Sequence, residues 1–548
     1  MFNFLMLMLS CTLLRAEEVH FINGNILPDF EINASPVSEL LVKDGKVLKT
    51  GNKLGTNPGV QQVDLKGQWV IPALTDAHAH LLATGEETRK LNLKNRTLEE
   101  TLDIITSALK TSPTPNCVTG FGWDQTLWPQ KQFPNRKLLD ELSGKIPIIL
   151  FRVDGHAAWA NTLALKKSGL WDSPVTQFKE QIPRDREGLP SGIILDAALK
   201  PLEDIIPPAS KNEVQGDIRR FVKQALRLGI TSIHDAGIKE KDLTILKDLI
   251  QTEDLPFRFY EMLDASDPSA LKEQLKRGPL INSINGRLTA RTVKLFLDGA
   301  MGSRGALFSE PYLDDSNTRG IQLISETNLE AQIRQISEAG FQVAIHAIGS
   351  QANHIALNTF EKIKTKGLHL KRPRLEHAQV LIANDIKRAG RLGVIASMQP
   401  IHCTSDSRWI IERIGSERAR YAYPWRSFLN ENVTLAFGSD SPIESLNPWP
   451  ALFAATQRKR SHLDSDPSFF PEEKISIREA LFAYTSGAAF GAFQEKMLGS
   501  LHPGKWADFI VLEKNPLLVS PIELQQVQVR ATYFAGRKVF DLKSSSTN

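Results

Sequence analysis

The chain has 548 residues, 41% hydrophobic and 23% charged, the balance of an ordinary globular protein and more than one simple domain needs. Its 66 basic and 62 acidic residues leave a formal charge of +4, too small and too mixed to indicate nucleic-acid binding. Three cysteines do not make a disulfide framework, and a chain of this size needs none, so their scarcity does not exclude an oxidising compartment.

The N-terminus differs from the rest. Phe2 to Leu14 reads FNFLMLMLSCTLL and carries no charged side chain. It is short for a bilayer span and fits the apolar core of a signal peptide. Ala16 then offers a cleavage point, so residues 1–16 are read as a leader, although no Lys or Arg precedes the apolar run. The expectation is a periplasmic or secreted protein with no transmembrane span in the mature chain. Met8-Leu9-Ser10-Cys11 supports an alternative, a lipoprotein anchored through Cys11.

Next come short strand patterns: His20 to Asn25, Glu39 to Val47 with its Asp44-Gly45 hairpin signal, and Gln61 to Val70. Asp508 to Leu512 and Val527 to Phe534 match them in style near the C-terminus. Residues 17–70 and 490–548 are therefore expected to build one small β-sandwich. Between them, strand and helix patterns alternate, which predicts a parallel α/β architecture. Eight strand candidates run Trp69–Thr75, Ile230–Asp235, Phe257–Met262, Thr292–Asp298, Gln342–Ile348, Arg374–Gln379, Val394–Gln399 and Thr434–Asp440. The fold class predicted is α/β, a (β/α)₈ TIM barrel over residues 71–489. The gap between its first two strands is too long for one crossover, so residues of about 90–225 are read as an insertion.

Polar residues collect at the ends of these apolar strands. Asp76-Ala77-His78-Ala79-His80 is the clearest case, since residues two apart in a strand face one way and His78 and His80 can present two imidazoles to one cation. His346, His377 and Asp440 end strands five, six and eight, and Lys294 lies in strand four. A barrel brings such ends to one face, and each polar group there costs free energy unless it is paired or coordinated. His-x-His alone is weak; the positions in barrel order strengthen it.

With these motifs the chain resembles the amidohydrolase superfamily, within it the branch of YtcJ-like proteins and N-substituted formamide deformylases. Gly122-Trp123-Asp124-Gln125, Arg152-Val153-Asp154-Gly155-His156, Gly302-Ser303-Arg304 and the Gly499 to Phe509 segment add to the likeness, which covers nearly everything after the leader. One departure is Ala73 in Pro72-Ala73-Leu74, where the branch usually has Gly. The resemblance implies that His78, His80 and Asp440 hold the more buried divalent metal, expected to be zinc. It implies that His346 and His377 hold a second, bridged by Lys294 after carboxylation with CO₂, so one or two ions per chain. Asp440, Lys294 and His377 would carry catalysis, in which metal-activated hydroxide attacks a carbonyl carbon and Asp440 moves the proton.

Trp123, His156, Arg304 and His402 are candidate substrate contacts, because loops at this barrel face carry function. His234-Asp235, ending strand two, is a candidate support for the ligands. The expected activity is hydrolysis of a carbon–nitrogen bond (amide, formamide or cyclic amide) other than a peptide bond. Competing readings are an esterase, lactonase or peptidase on the same scaffold, or a non-catalytic binding protein on a degenerate barrel. The partner expected is a small-molecule substrate, with a homodimer left open.

Overall fold

The computed structural model describes residues 18–542 except 56–57, 88, 111–115, 153–156, 173–180, 196–197 and 460–466. The leader, Cys11 and His156 lie outside the described residues. The chain forms two compact units: one from both chain ends, up to Leu81 and from Phe221 onward, and a second over Leu82–Arg220. The second unit begins and ends a few residues earlier than the insertion expected at about 90–225.

The first unit contains the barrel. Its strands are β1 (Leu74–Ala79), β2 (Ile230–Ile238), β3 (Arg258–Asp264), β4 (Leu288–Phe296), β5 (Gln342–Ala347), β6 (Arg374–His377), β7 (Ile395–Met398) and β8 (Thr434–Phe437). Each pairs in parallel with the next in chain order. The ring approaches closure just beyond β8, where the Asp440 N–H donates to the His78 carbonyl at 2.6 Å and the His80 N–H to the Ser441 carbonyl at 2.8 Å. Gly438 makes that approach feasible: a Cβ there would stand 2.4 Å from the His78 nitrogen, closer than any side chain tolerates.

Helices follow the strands as the pattern predicts. Glu326–Glu338 is capped by the Ser325 side chain on the Asn328 N–H and buries Leu329, Ile333 and Ile336, one apolar stripe. Ala383–Leu392 ends at Gly393, whose φ of 66° provides the left-handed C-cap.

One strand expectation needs correction. Trp69–Thr75 is not the first barrel strand. Trp69–Pro72 pairs antiparallel with Phe509–Leu512 in the smaller sheet, and the barrel begins at Leu74. That five-stranded sheet faces a four-stranded sheet built from residues 18–64, and Phe21, Leu40, Val42, Val70, Phe509 and Tyr533 pack between them. The second unit has its own five-stranded sheet, ordered Ile193–Leu195, Ala157–Ala160, Ile148–Arg152, Val118–Trp123 and Leu91–Asn92, with an apolar cluster on each face.

Among the described residues, no helix is long and apolar enough to cross a membrane.

Candidate metal centre

The ends of β1, β5, β6 and β8 and the short helix after β7 deliver one cluster of imidazoles around one carboxylate. Asp440 Oδ1 lies 3.2 Å from His80 Nε2 and 3.4 Å from His78 Nε2, while Oδ2 lies 3.6 Å from His402 Nε2. Ring centroids of His78 and His377 are 4.7 Å apart, and those of His377 and His346 4.5 Å. Two triads have donor atoms all within 4.8 Å of one another: His78, His80 and Asp440, and His377, His402 and Asp440.

Local backbone geometry places these groups. The Asp76 carboxylate accepts the N–H of His78 at 3.1 Å and of Ser439 at 3.0 Å, so one side chain fixes both the β1 motif and the β8 turn. Asp440 and His377 adopt φ of 58° and 71°. Non-glycine residues in this region carry strain that gathers at functional sites. His402 sits on α1 (Pro400–Asp406), the short helix after β7, with its Nδ1 3.1 Å from the Gln379 amide nitrogen.

The electrostatics favour a cation. Burial alone would raise Asp440, yet His78 and His80 beside it hold its carboxyl well below the usual range. Burial and Lys294 depress His78, but Asp440 and Glu376 outweigh them and its pKa is raised. Burial, then the neighbouring His346 and His78 rings, pushes His377 well down; burial and Lys294 lower His346 to about 3. Both imidazoles are thus neutral at ordinary pH, the form that ligates metals. Among the described residues, the Nε2 atoms of His78, His346 and His402 are buried without a hydrogen-bond partner. Buried polar atoms are rarely left so, and the donor set of imidazoles plus one carboxylate fits a divalent cation.

Lys294, on β4, is buried, and burial lowers its pKa against the pull of Glu376 and Asp440. His346 pairs across to Phe296 on β4, and its Nε2 stands 3.6 Å from Asp298 Oδ1. Asp298 accepts three backbone N–H groups, from Leu307, Ile348 and Gly349, and burial raises its pKa to about 7.

The candidate substrate contacts fare differently. His402 joins the cluster. Arg304 lies in the loop after β4, its guanidinium held by both oxygens of Asp314 at 3.2 and 2.8 Å. Trp123 is fully buried in the second unit beside Trp128 and Trp159, with its indole N–H donated to the Leu150 carbonyl at 2.7 Å. Its indole is thus packed on Trp128 and Trp159 and its N–H is satisfied by the backbone. His234 and Asp235 have defined partners: His234 Nδ1 lies 3.1 Å from Arg374 Nη1, and Asp235 accepts the Leu81 N–H at 3.0 Å.

Sequence reasoning missed Arg374, Glu376 and Gln399. Glu376 bonds His78 Nδ1 at 2.6 Å, and Gln399 Oε1 bonds His377 Nδ1 at 2.9 Å. A signal existed for two of them. Arg374 and Glu376 alternate on one face of an apolar strand, where two buried charges must pair.

The amidohydrolase family profile matches residues 61–540. The chain belongs to the amidohydrolase family. It is 32% identical over 523 residues to Protein LONG AFTER FAR-RED 3 of Arabidopsis thaliana, covering 91% of this chain and 88% of that one. It is 30% identical over 516 residues to YtcJ of Bacillus subtilis (strain 168), covering 91% and 95%, and 24% identical over 540 residues to the N-substituted formamide deformylase of Arthrobacter pascens, covering 95% and 97%. An uncharacterized metal-dependent hydrolase from Pyrococcus horikoshii OT3 superposes with a TM-score of 0.78 at 30% identity, over 92% of this chain and 99% of that one. This amidohydrolase is therefore a metal-dependent hydrolase by family, on a TIM-barrel-like fold.

Proposed function

We propose that this amidohydrolase cleaves a carbon–nitrogen bond of a small amide, formamide or cyclic amide, using zinc at the Asp440 cluster. The observation that carries the reading is one carboxylate within 3.6 Å of three imidazole nitrogens. In the first site His78, His80 and Asp440 would hold an ion. In a second, His377 and His346 would do so, joined by Lys294 once its neutral amine has taken up CO₂. Burial of Lys294 favours that neutral amine. A zinc ion held there would lower the pKa of the attacking water toward neutral pH.

The chain's own groups do the rest. Asp440 is ionised and turns Oδ1 to His78 and His80, which leaves Oδ2 to take the proton of the attacking water. The same oxygen then returns that proton to the departing amine. His402 Nε2, 3.6 Å from Oδ2, would donate to the oxyanion that forms on the substrate carbonyl. The likeness to a formamide deformylase supports a C–N bond over an ester.

The test is a screen of N-formyl amines, N-acyl amino acids, dipeptides and lactones with zinc-reconstituted protein. Turnover of the formyl or acyl amines is expected to dominate. A kcat/KM highest for lactones would overturn the C–N assignment and leave the fold untouched.

We further propose that the protein is exported and that the mature chain begins near Glu17, from the uncharged run Phe2 to Leu14. N-terminal sequencing of the native protein checks this; Met1 on a cytoplasmic product contradicts it, and a lipid on Cys11 replaces it with the anchored form.

A further inference from the structure

We propose that Glu376 is a positioning residue that dictates which nitrogen of His78 carries the hydrogen, and so keeps the His78 Nε2 lone pair available to a cation. This rests on the metal-centre reading above. Arg374, Glu376 and His78 are all fully buried. Arg374 Nε donates to Glu376 Oε1 at 2.6 Å and its Nη2 to Oε2 at 3.3 Å. The guanidinium is anchored elsewhere too, on the Ala77 carbonyl at 2.9 Å, Ser397 Oγ at 3.0 Å and His234 Nδ1 at 3.1 Å. A guanidinium has no acceptor and does not deprotonate, so the carboxylate beside it stays charged although it is closed off from bulk solvent. A carboxylate only accepts. The hydrogen in its 2.6 Å contact with His78 Nδ1 therefore belongs to the imidazole. With that hydrogen fixed on Nδ1, Nε2, 3.4 Å from Asp440 Oδ1, is the nitrogen whose lone pair a bound cation would take.

Glutamine at 376 makes the consequence sharp. It has the same shape but one acceptor oxygen, and two donors compete for it. Turning the amide NH₂ toward Arg374 sets donor against a buried cation, which costs more than facing an imidazole. The oxygen goes to Arg374 and the NH₂ faces His78 Nδ1, which must now accept. The hydrogen moves to Nε2, the atom that should bind metal.

The experiment measures zinc affinity by chelator competition, together with the ¹⁵N ring shifts of His78 in histidine-labelled protein, for wild type, Glu376→Gln, Glu376→Asp and Ser397→Ala. The expected loss for Glu376→Gln is ~10–100-fold in zinc affinity, with hydrogen on Nε2 in place of Nδ1. Ser397→Ala also removes an Arg374 bond but leaves His78 alone, so its affinity and ring shifts should match wild type. Glu376→Asp keeps the charge and should keep hydrogen on Nδ1, which holds the test open if the glutamine variant does not fold. Wild-type affinity and an unchanged His78 tautomer in Glu376→Gln, or hydrogen on Nε2 in Glu376→Asp, overturn the assignment of Glu376 alone. Failure of the wild type to take up zinc overturns the metal reading itself.

Discussion

Asp440 faces three imidazole nitrogens with two oxygens, so its substitution separates ligation from proton transfer. Asp440→Asn keeps the size and removes the basic oxygen. Its kcat should fall by at least ~10²–10⁴-fold, the usual contribution of a positioned acid–base group, while folding survives and the imidazoles retain part of the zinc. His78→Ala should instead lose zinc and activity together. Steady-state kinetics with elemental analysis on both variants checks the pair; near-normal turnover in Asp440→Asn would remove it from proton transfer. Much of this cluster could be read from residue type, because His-x-His and single polar residues ending apolar strands advertise themselves. The supporting shell could not be read fully. Whether Gln399 meets His377 depends on which strand lies beside β6 and at what register, and no local pattern in Gln399-Pro400 reveals it.

At the scale of elements, seven barrel strands were legible as apolar runs at spacings that alternate with helices. The first was misplaced because Trp69 to Leu74 is one unbroken apolar run, and hydrophobicity does not mark the residue where a chain leaves one sheet for another. The change comes at Ala73, whose N–H donates to the Asp508 carbonyl at 3.0 Å. Asp508 also joins the barrel to the C-terminal sheet. Its carboxylate takes Arg258 from β3 at 2.7 and 3.1 Å and the Ala535 N–H at 2.7 Å. The Arg258 guanidinium lies between the rings of Trp506 and Phe534, at 4.4 and 4.5 Å. With both partners buried, Asp508→Ala strands a cation in the interior, a loss of about 3–5 kcal/mol. A clearly lower denaturant midpoint is expected, with zinc content unchanged because the donors lie on other strands. A midpoint equal to wild type would show the pair to be dispensable.

Across the whole molecule, composition and alternation sufficed for a barrel with an insertion, since no eight-strand α/β ring leaves well over a hundred residues between two neighbouring strands. The internal order of the insertion was beyond reach, because its sheet mixes parallel and antiparallel pairs. Function also belongs to this scale, because a ligand that binds only the folded barrel stabilises all of it. At free zinc one hundred times its dissociation constant, that linkage is worth about 2.7 kcal/mol.

The central claim is that a metal held by the His78–His80–Asp440 cluster is required for hydrolysis. Its most direct test is to strip the purified protein with a chelator and titrate zinc back, following turnover of an N-formyl amine and metal content together. Turnover and the unfolding temperature should both fall on stripping, and both should recover as one to two equivalents are restored. Full turnover in chelator, with no metal by elemental analysis, would contradict it.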